Sequence, residues 1–350
     1  MTQLSEHLVE HASAITEDVI ATDYARRPEL LARYGERGRT MYRRDNGYHL
    51  SYLAEALRSS EPALFVDYVG WAKSMLTAHG VPVDLLVENL RLLKAAICRQ
   101  LPDSETAPAG VIIDEALALL PALPAVPPSF VSDTSSNGRL AQDYLEQLLN
   151  GDRREAAALI HGAVRAGLPL KRVYLDVFQQ SQREIGRLWQ LNRVTVAQEH
   201  YCTAATQAIM NQFLPRILEA PRIGRKVIAL GVSGDLHEIG LRIVADLFEL
   251  AGWDCDFIGA NTPAESIIDS LPKAAPDLIA VSATMTYHVE LVEKFIRALR
   301  ARADTRHIPV LVGGRPFLVT ETLWQRVGAD GWAYDAESAV ARGNELVQQR

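Results

Sequence analysis

Apolar residues recur every three or four positions over residues 48–57, 63–76 and 83–101, the period of an amphipathic helix. Glu61-Pro62 marks one helix start, and Gly80-Val81-Pro82 separates two others. Residues 120–138 break the period with prolines followed by Ser, Asp and Asn, which reads as a linker. The helical period returns from Arg139 to about Leu218, with breaks at Gly151-Asp152, Gly167-Leu168-Pro169 and Asn192-Arg193, predicting a bundle of four or five helices. After Pro221 the texture changes. Short apolar runs (226–232, 254–260, 277–283, 309–315, 330–335) alternate with helical stretches, the pattern of a doubly wound parallel α/β sheet with about five strands. The expected architecture is therefore α followed by α/β: a helical domain (1–122), a linker (123–138), a helical bundle (139–221) and a sheet domain (222–350).

Composition changes this picture only by exclusion. The chain has 350 residues, 48% of them hydrophobic and 23% charged, which excludes general disorder. A net charge of −7 disfavours a dedicated nucleic-acid binder, although Arg37, Arg39, Arg43 and Arg44 cluster near the start. No apolar run is long enough to cross a bilayer, and the first residues lack the features of a secretory signal. Cys98, Cys202 and Cys255 are widely spaced, which argues against a disulfide scaffold or a zinc site and for a reducing cytoplasm.

Chemistry is expected at the carboxyl ends of the strands. There Ser233-Gly234-Asp235-Leu236-His237-Glu238-Ile239-Gly240 follows the first strand, with neither a G-x-G-x-x-G run nor a Walker lysine. His237 is a good transition-metal ligand, and Asp235 is placed to orient its other ring nitrogen. Taken alone, the same residues also suit a solvent-exposed histidine in a polar loop. Ser282-Ala283-Thr284 ends the third strand and Gly313-Gly314 the fourth. The ordered set D-x-H-x-x-G, S-x-T and G-G resembles the cobalamin-binding domain of methionine synthase, the base-off mutases and related sensors. The resemblance covers residues 225–350. It implies that His237 is the lower axial ligand to cobalt, with Asp235 as its hydrogen-bond partner. Gly240 leaves room for the ligand, while Ser282, Thr284, Gly313 and Gly314 line a channel for the displaced nucleotide tail.

In the bundle, Trp189 is followed after nine residues by Glu199-His200. This W-x9-EH pattern resembles the cap of light-sensing adenosylcobalamin regulators, and implies that Trp189, Val196, Glu199 and His200 meet the adenosyl group. The competing reading makes Trp189 a core residue and Glu199-His200 a surface pair. Gln190 stands where those regulators carry a second histidine, so a bis-His photoproduct is not expected from this position. Their DNA-binding helix-turn-helix is also missing from the pattern here. Instead, residues 38–57 and 64–76 look like the globin-type helical domain of photocobilins, which implies a linear tetrapyrrole such as biliverdin. Tyr42, Tyr48, Tyr52, Tyr68 and Trp71 would stack on it, Arg39, Arg43 and Arg44 would pair with its propionates, and His49 and His79 would bond its pyrroles. Cys98 is expected to be a buried thiol, so the bilin would be held non-covalently.

The implied protein is a non-enzymatic cytoplasmic photoreceptor using adenosylcobalamin and biliverdin. It would be a homo-oligomer that switches with light and signals to an unknown output protein, with no direct nucleic-acid or membrane contact. Its rivals are a corrinoid methyl carrier or mutase cobalamin subunit, and a transcription regulator that has lost its DNA-binding domain.

Overall fold

The computed structural model describes residues 2–348, which divide into two compact units that meet between Val126 and Pro127. The first unit is built from α1 (Thr2–Glu10), α2 (Ala12–Arg26), α3 (Glu29–Ser59), α4 (Pro62–Ala78), α5 (Val83–Gln100) and α6 (Asp103–Leu119), closed by a 3₁₀ turn at Leu120–Ala122. Gly35 interrupts α3 with a φ of 62°, a left-handed conformation that glycine adopts without a side-chain clash. Leu50, Leu53, Leu57, Leu64, Phe65, Val69, Leu90, Leu93 and Ile97 are buried in its interior. Burying each such side chain contributes about 1.5–3 kcal/mol.

The second unit begins with α7 (Ser136–Leu149) and α8 (Arg153–Arg165). Then a continuous helical rod follows: α9 (Leu170–Arg172), a π turn at Val173–Phe178 and α10 (Gln179–Gln190). It turns at Asn192, whose φ is 54°, into α11 (Val196–Asn211) and α12 (Leu214–Leu218). Thr195 caps α11 in a reciprocal capping box with Gln198. The sheet domain then runs β1 (Lys226–Gly231), α13 (Ile239–Leu250), β2 (Asp254–Gly259), α14 (Ala264–Ala274), β3 (Leu278–Ser282) and α15 (Val289–Ala301). It closes with β4 (Val310–Gly313), α16 (Arg315–Val319), α17 (Leu323–Arg326), β5 (Gly331–Ala333) and α18 (Ala336–Gln348). The strands are all parallel, in the order β2-β1-β3-β4-β5.

The bundle and the sheet domain do not have separate interiors. One apolar cluster runs from Tyr144, Ile160, Tyr174, Phe178 and Met210 of the bundle to Ile243 and Leu247 of α13 and Ala336 of α18. Within the segment expected as a linker, 123–138, α7 starts at Ser136, and Pro127 and Phe130 are bonded to α10, as described below.

Candidate functional site

The sheet order reverses between β1 and β3: the chain leaves β1 toward β2 on one side and returns on the other to β3. A ligand crevice opens at such a switch point, beyond the carboxyl ends of the strands. Register brings the motifs of the sequence together there. Gly231 pairs with Ser282, Ser282 with Gly313, and Gly313 with Ala333.

Asp235 is almost fully buried in the loop after β1. Its Oδ1 accepts from the His237 backbone N–H at 3.1 Å and lies 2.8 Å from the His237 Nδ1. Its Oδ2 accepts from the Thr284 N–H at 2.6 Å, so the loops after β1 and β3 are joined through one carboxylate. Burial would raise the Asp235 pKa, but the hydrogen bonds from His237 and the Thr284 N–H, with the His288 ring nearby, outweigh it and hold the carboxyl far below the usual carboxylate range. The Asp235 hydrogen bond raises the pKa of His237 against desolvation, with smaller Coulombic help from Asp235 and from Glu199.

His237 keeps 60% of its side chain exposed, while Asp235 engages Nδ1. Nε2 is thus the atom open to a metal. Among the described residues no group of three or more His, Cys, Asp or Glu stands together to hold a metal ion. A single imidazole suits a metal that brings its remaining ligands with it, as cobalt does in a corrin ring, so the residues fit that group.

His288, which the sequence reading passed over, completes the setting. It is buried, its Nδ1 lies 3.6 Å from Asp235 Oδ2, and that nitrogen has no hydrogen-bond partner. The sequence signal was its place in the loop after β3, four residues beyond Thr284. An added Cβ at Gly314, where φ is 104°, would lie 2.0 Å from the Ala283 carbonyl oxygen. Glycine is therefore required there by the neighbouring loop. At Gly240 a Cβ would meet nothing within 4 Å, so that position borders open space.

In the bundle, Trp189 ends α10 partly exposed, and Val196 opens α11 with 55% exposure. His200 Nδ1 lies 2.8 Å from Glu199 Oε2 and 2.9 Å from the Val196 carbonyl. Thr203 donates to Glu199 at 3.2 Å and to Gln182 at 3.0 Å, and Gln182 donates to Thr206 at 2.9 Å, next to Tyr144 at 2.8 Å. Gln207 of α11 donates to Glu238 beside His237 at 2.8 Å.

In the first unit, Tyr42 and His49 belong to a buried polar network. Tyr42 donates to Asp23 at 2.7 Å, Asp23 holds Arg27 in a two-pronged pair, and Asn89 donates to Tyr42 and Asn46. His49 lies 2.8 Å from the Tyr68 hydroxyl, and burial pushes its pKa down to about 4. The Tyr52 ring stacks on Tyr68 at 3.8 Å, and Trp71 continues the stack. Arg43 pairs with Glu17, and Arg39 lies over Tyr24 with its Nε buried and unpartnered. Cys98 is exposed, against the expected buried thiol, because Leu92, Leu93, Ala96 and Ile97 take the inward face of α5.

Residues 140–213 and 225–341 each match a B12 binding domain family. The chain is 24% identical over 217 residues to dimethylamine corrinoid protein 1 of Methanosarcina mazei, covering 61% of this chain and 98% of that protein. It is 31% identical over 116 residues to dimethylamine corrinoid protein 3 of the same organism, covering 33% of this chain and 68% of that one. The Methanosarcina barkeri monomethylamine corrinoid protein shares the fold, with a TM-score of 0.54 at 19% identity, over 60% of this chain and all of that structure. Among the described residues no helix is long and apolar enough to cross a membrane.

Proposed function

From the premise that the chain belongs to the corrinoid-protein family, with its paired B12-binding domains, we propose that it is a non-catalytic corrinoid carrier. It holds cobalamin base-off, with His237 as the lower ligand oriented by Asp235, and presents the upper face to a partner methyltransferase. The Asp235–His237 pair at the switch point carries this reading. The names of the relatives support methyl as the group carried. Bound cobalamin would supply a cobalt–carbon bond. Asp235 would keep His237 in the tautomer whose Nε2 lone pair is free, and Ser282, Thr284, Gly313 and Gly314 would border the nucleotide tail.

One observation favours a second reading. Trp189, Val196, Glu199 and His200 all remain incompletely buried, and Glu199 is near enough to act electrostatically on His237. Gln207 of α11 also bonds Glu238 beside His237, which supports the bundle as a cap over a bulky adenosyl group. In that reading the protein is an adenosylcobalamin photoreceptor whose oligomeric state changes when light releases the group. The Tyr52–Tyr68–Trp71 stack supports a bilin in the first unit, held also by Arg39, Tyr42, Arg43 and His49.

Reconstitution with methylcobalamin and with adenosylcobalamin separates the two. The carrier reading expects a His-on, base-off spectrum with both, methyl transfer to a partner, and no change in mass in solution under green light. A change of mass confined to the adenosyl form, or a red absorption band after co-production with biliverdin, supports the photoreceptor. A base-on spectrum would end both.

A further inference from the structure

The segment between the two units is fastened at both ends, and one fastening lies on the helix that carries Trp189. In the first unit, buried Lys73 donates to the carbonyls of Leu120 at 2.8 Å and Leu123 at 2.6 Å, with that of Pro121 at 3.5 Å. Gly70 makes room for Leu123, since an added Cβ would lie 3.0 Å from its Cδ1. In the second unit, Glu184 and Arg187 of α10 form a fork-to-fork pair with side chains only 6% and 9% exposed. Glu184 also accepts the Phe130 N–H at 3.0 Å, and Arg187 donates to the Pro127 carbonyl at 3.2 Å. Two buried charged groups are thus spent on holding a connecting segment, two and five residues before Trp189.

Only Pro124-Ala125-Val126 lies between the fastenings, and Pro127-Pro128 follows. Prolines fix φ, so this stretch is a semi-rigid spacer that passes on displacement rather than absorbing it. At the other end of α10, the left-handed Asn192 closes a turn in which the Asn192 N–H bonds Trp189 and the Arg193 N–H bonds Leu188. Any shift of α10 under Trp189 therefore moves Glu184 and Arg187 with it.

We propose that residues 123–130 are a strap through which the state of the Trp189 helix reaches the first unit, with Glu184 and Arg187 as its positioning residues. The inference rests on the reading that Trp189 faces the upper side of bound cobalamin. Coupling of this kind is reciprocal and operates with or without the cofactor.

Backbone hydrogen exchange on the full chain tests it. In the cofactor-free protein, Glu184→Gln should raise exchange at Phe130 and also at Leu123, on the far side of the spacer, by about fivefold or more, the low end of ordinary coupling between linked sites. A Gly-Ser-Gly-Ser insertion between Ala125 and Val126 leaves both fastenings intact. It should keep the Phe130 response and abolish the response at Leu123. Arg187→Lys keeps the charge but loses the fork, and serves as the second variant should Glu184→Gln misfold. Adding methylcobalamin or adenosylcobalamin to the unaltered chain should change exchange at Leu123, and the insertion should remove that change. Unchanged exchange at Leu123 in both positioning variants, or a Leu123 response that survives the insertion, would overturn the strap. Failure of either cobalamin to bind would overturn the proposed function instead, and the cofactor-free comparison would still decide the strap.

Discussion

Asp235 grips His237 twice, accepting its backbone N–H at 3.1 Å and meeting its ring Nδ1 at 2.8 Å. The imidazole is thereby fixed in both tautomer and direction before any ligand arrives. Asp235→Asn keeps the shape and removes the charge. Cobalamin affinity should fall about 10–100-fold, the usual cost of losing a ligand's orienting partner. His237→Ala should in addition abolish the His-on spectrum. Titration of the apoprotein followed by absorption checks both, and unchanged affinity in Asp235→Asn would remove Asp235 from the site.

Trp189→Ala should leave cobalamin bound, because the lower ligand and the strand-end loops are untouched. If Trp189 covers an adenosyl group, the variant should lose its preference for adenosylcobalamin over methylcobalamin. Equal losses for both forms would assign Trp189 to packing alone. Competitive binding of the two cobalamins in the dark gives the ratio.

Tyr174 in the π turn donates to Asp246 of α13 at 2.8 Å, and Arg242 holds the other oxygen of that carboxylate at 2.8 Å. Burial pushes both the Tyr174 and the Asp246 pKa up. Tyr174→Phe leaves a buried carboxylate short of one donor and should destabilise the second unit by about 1–3 kcal/mol. Urea unfolding should show a lower midpoint with an unchanged slope; an unchanged midpoint would show that water replaces the hydroxyl there.

His49 gives the first unit a pH dependence with a definite sign. The folded chain keeps it neutral down to about pH 4, whereas the unfolded chain protonates it near its ordinary value of 6.5. Between these values the unfolded state binds more protons, so stability falls as pH falls, by about 1.4 kcal/mol per pH unit and about 3 kcal/mol in all. Below pH 4 this contribution levels off. Unfolding of the full chain at pH 7, 5.5 and 4 measures the slope. His49→Gln should flatten it, and an equal slope in the variant would place the titrating group elsewhere.

The parallel sheet, the helical period of the bundle and the strand-end motifs were legible because each is a short local pattern. Asp235 and His237 are two residues apart, and their hydrogen bond follows from that spacing. His288 was not legible: only folding brings the loop after β3 to Asp235. Glu184 and Arg187 look like an ordinary surface pair one helical turn apart. Their burial comes from the segment around Pro127 and Phe130, more than 50 residues earlier in the chain. The surroundings of Tyr42, His49 and Cys98 were not legible for a related reason. Helical period places a side chain on a face, but the partners of Tyr42 are Asp23, 19 positions away, and Asn89, 47 positions away.

The interior shared by Tyr174, Phe178, Ile243 and Leu247 has a consequence for rearranging this protein. A cut at Pro221, where the sequence texture changes, would strip one flank of α13 and leave a sticky, aggregation-prone surface. The sheet domain therefore cannot be transplanted alone as a cobalamin module; it must travel with its helices, and a viable chimera begins at Pro127 or earlier.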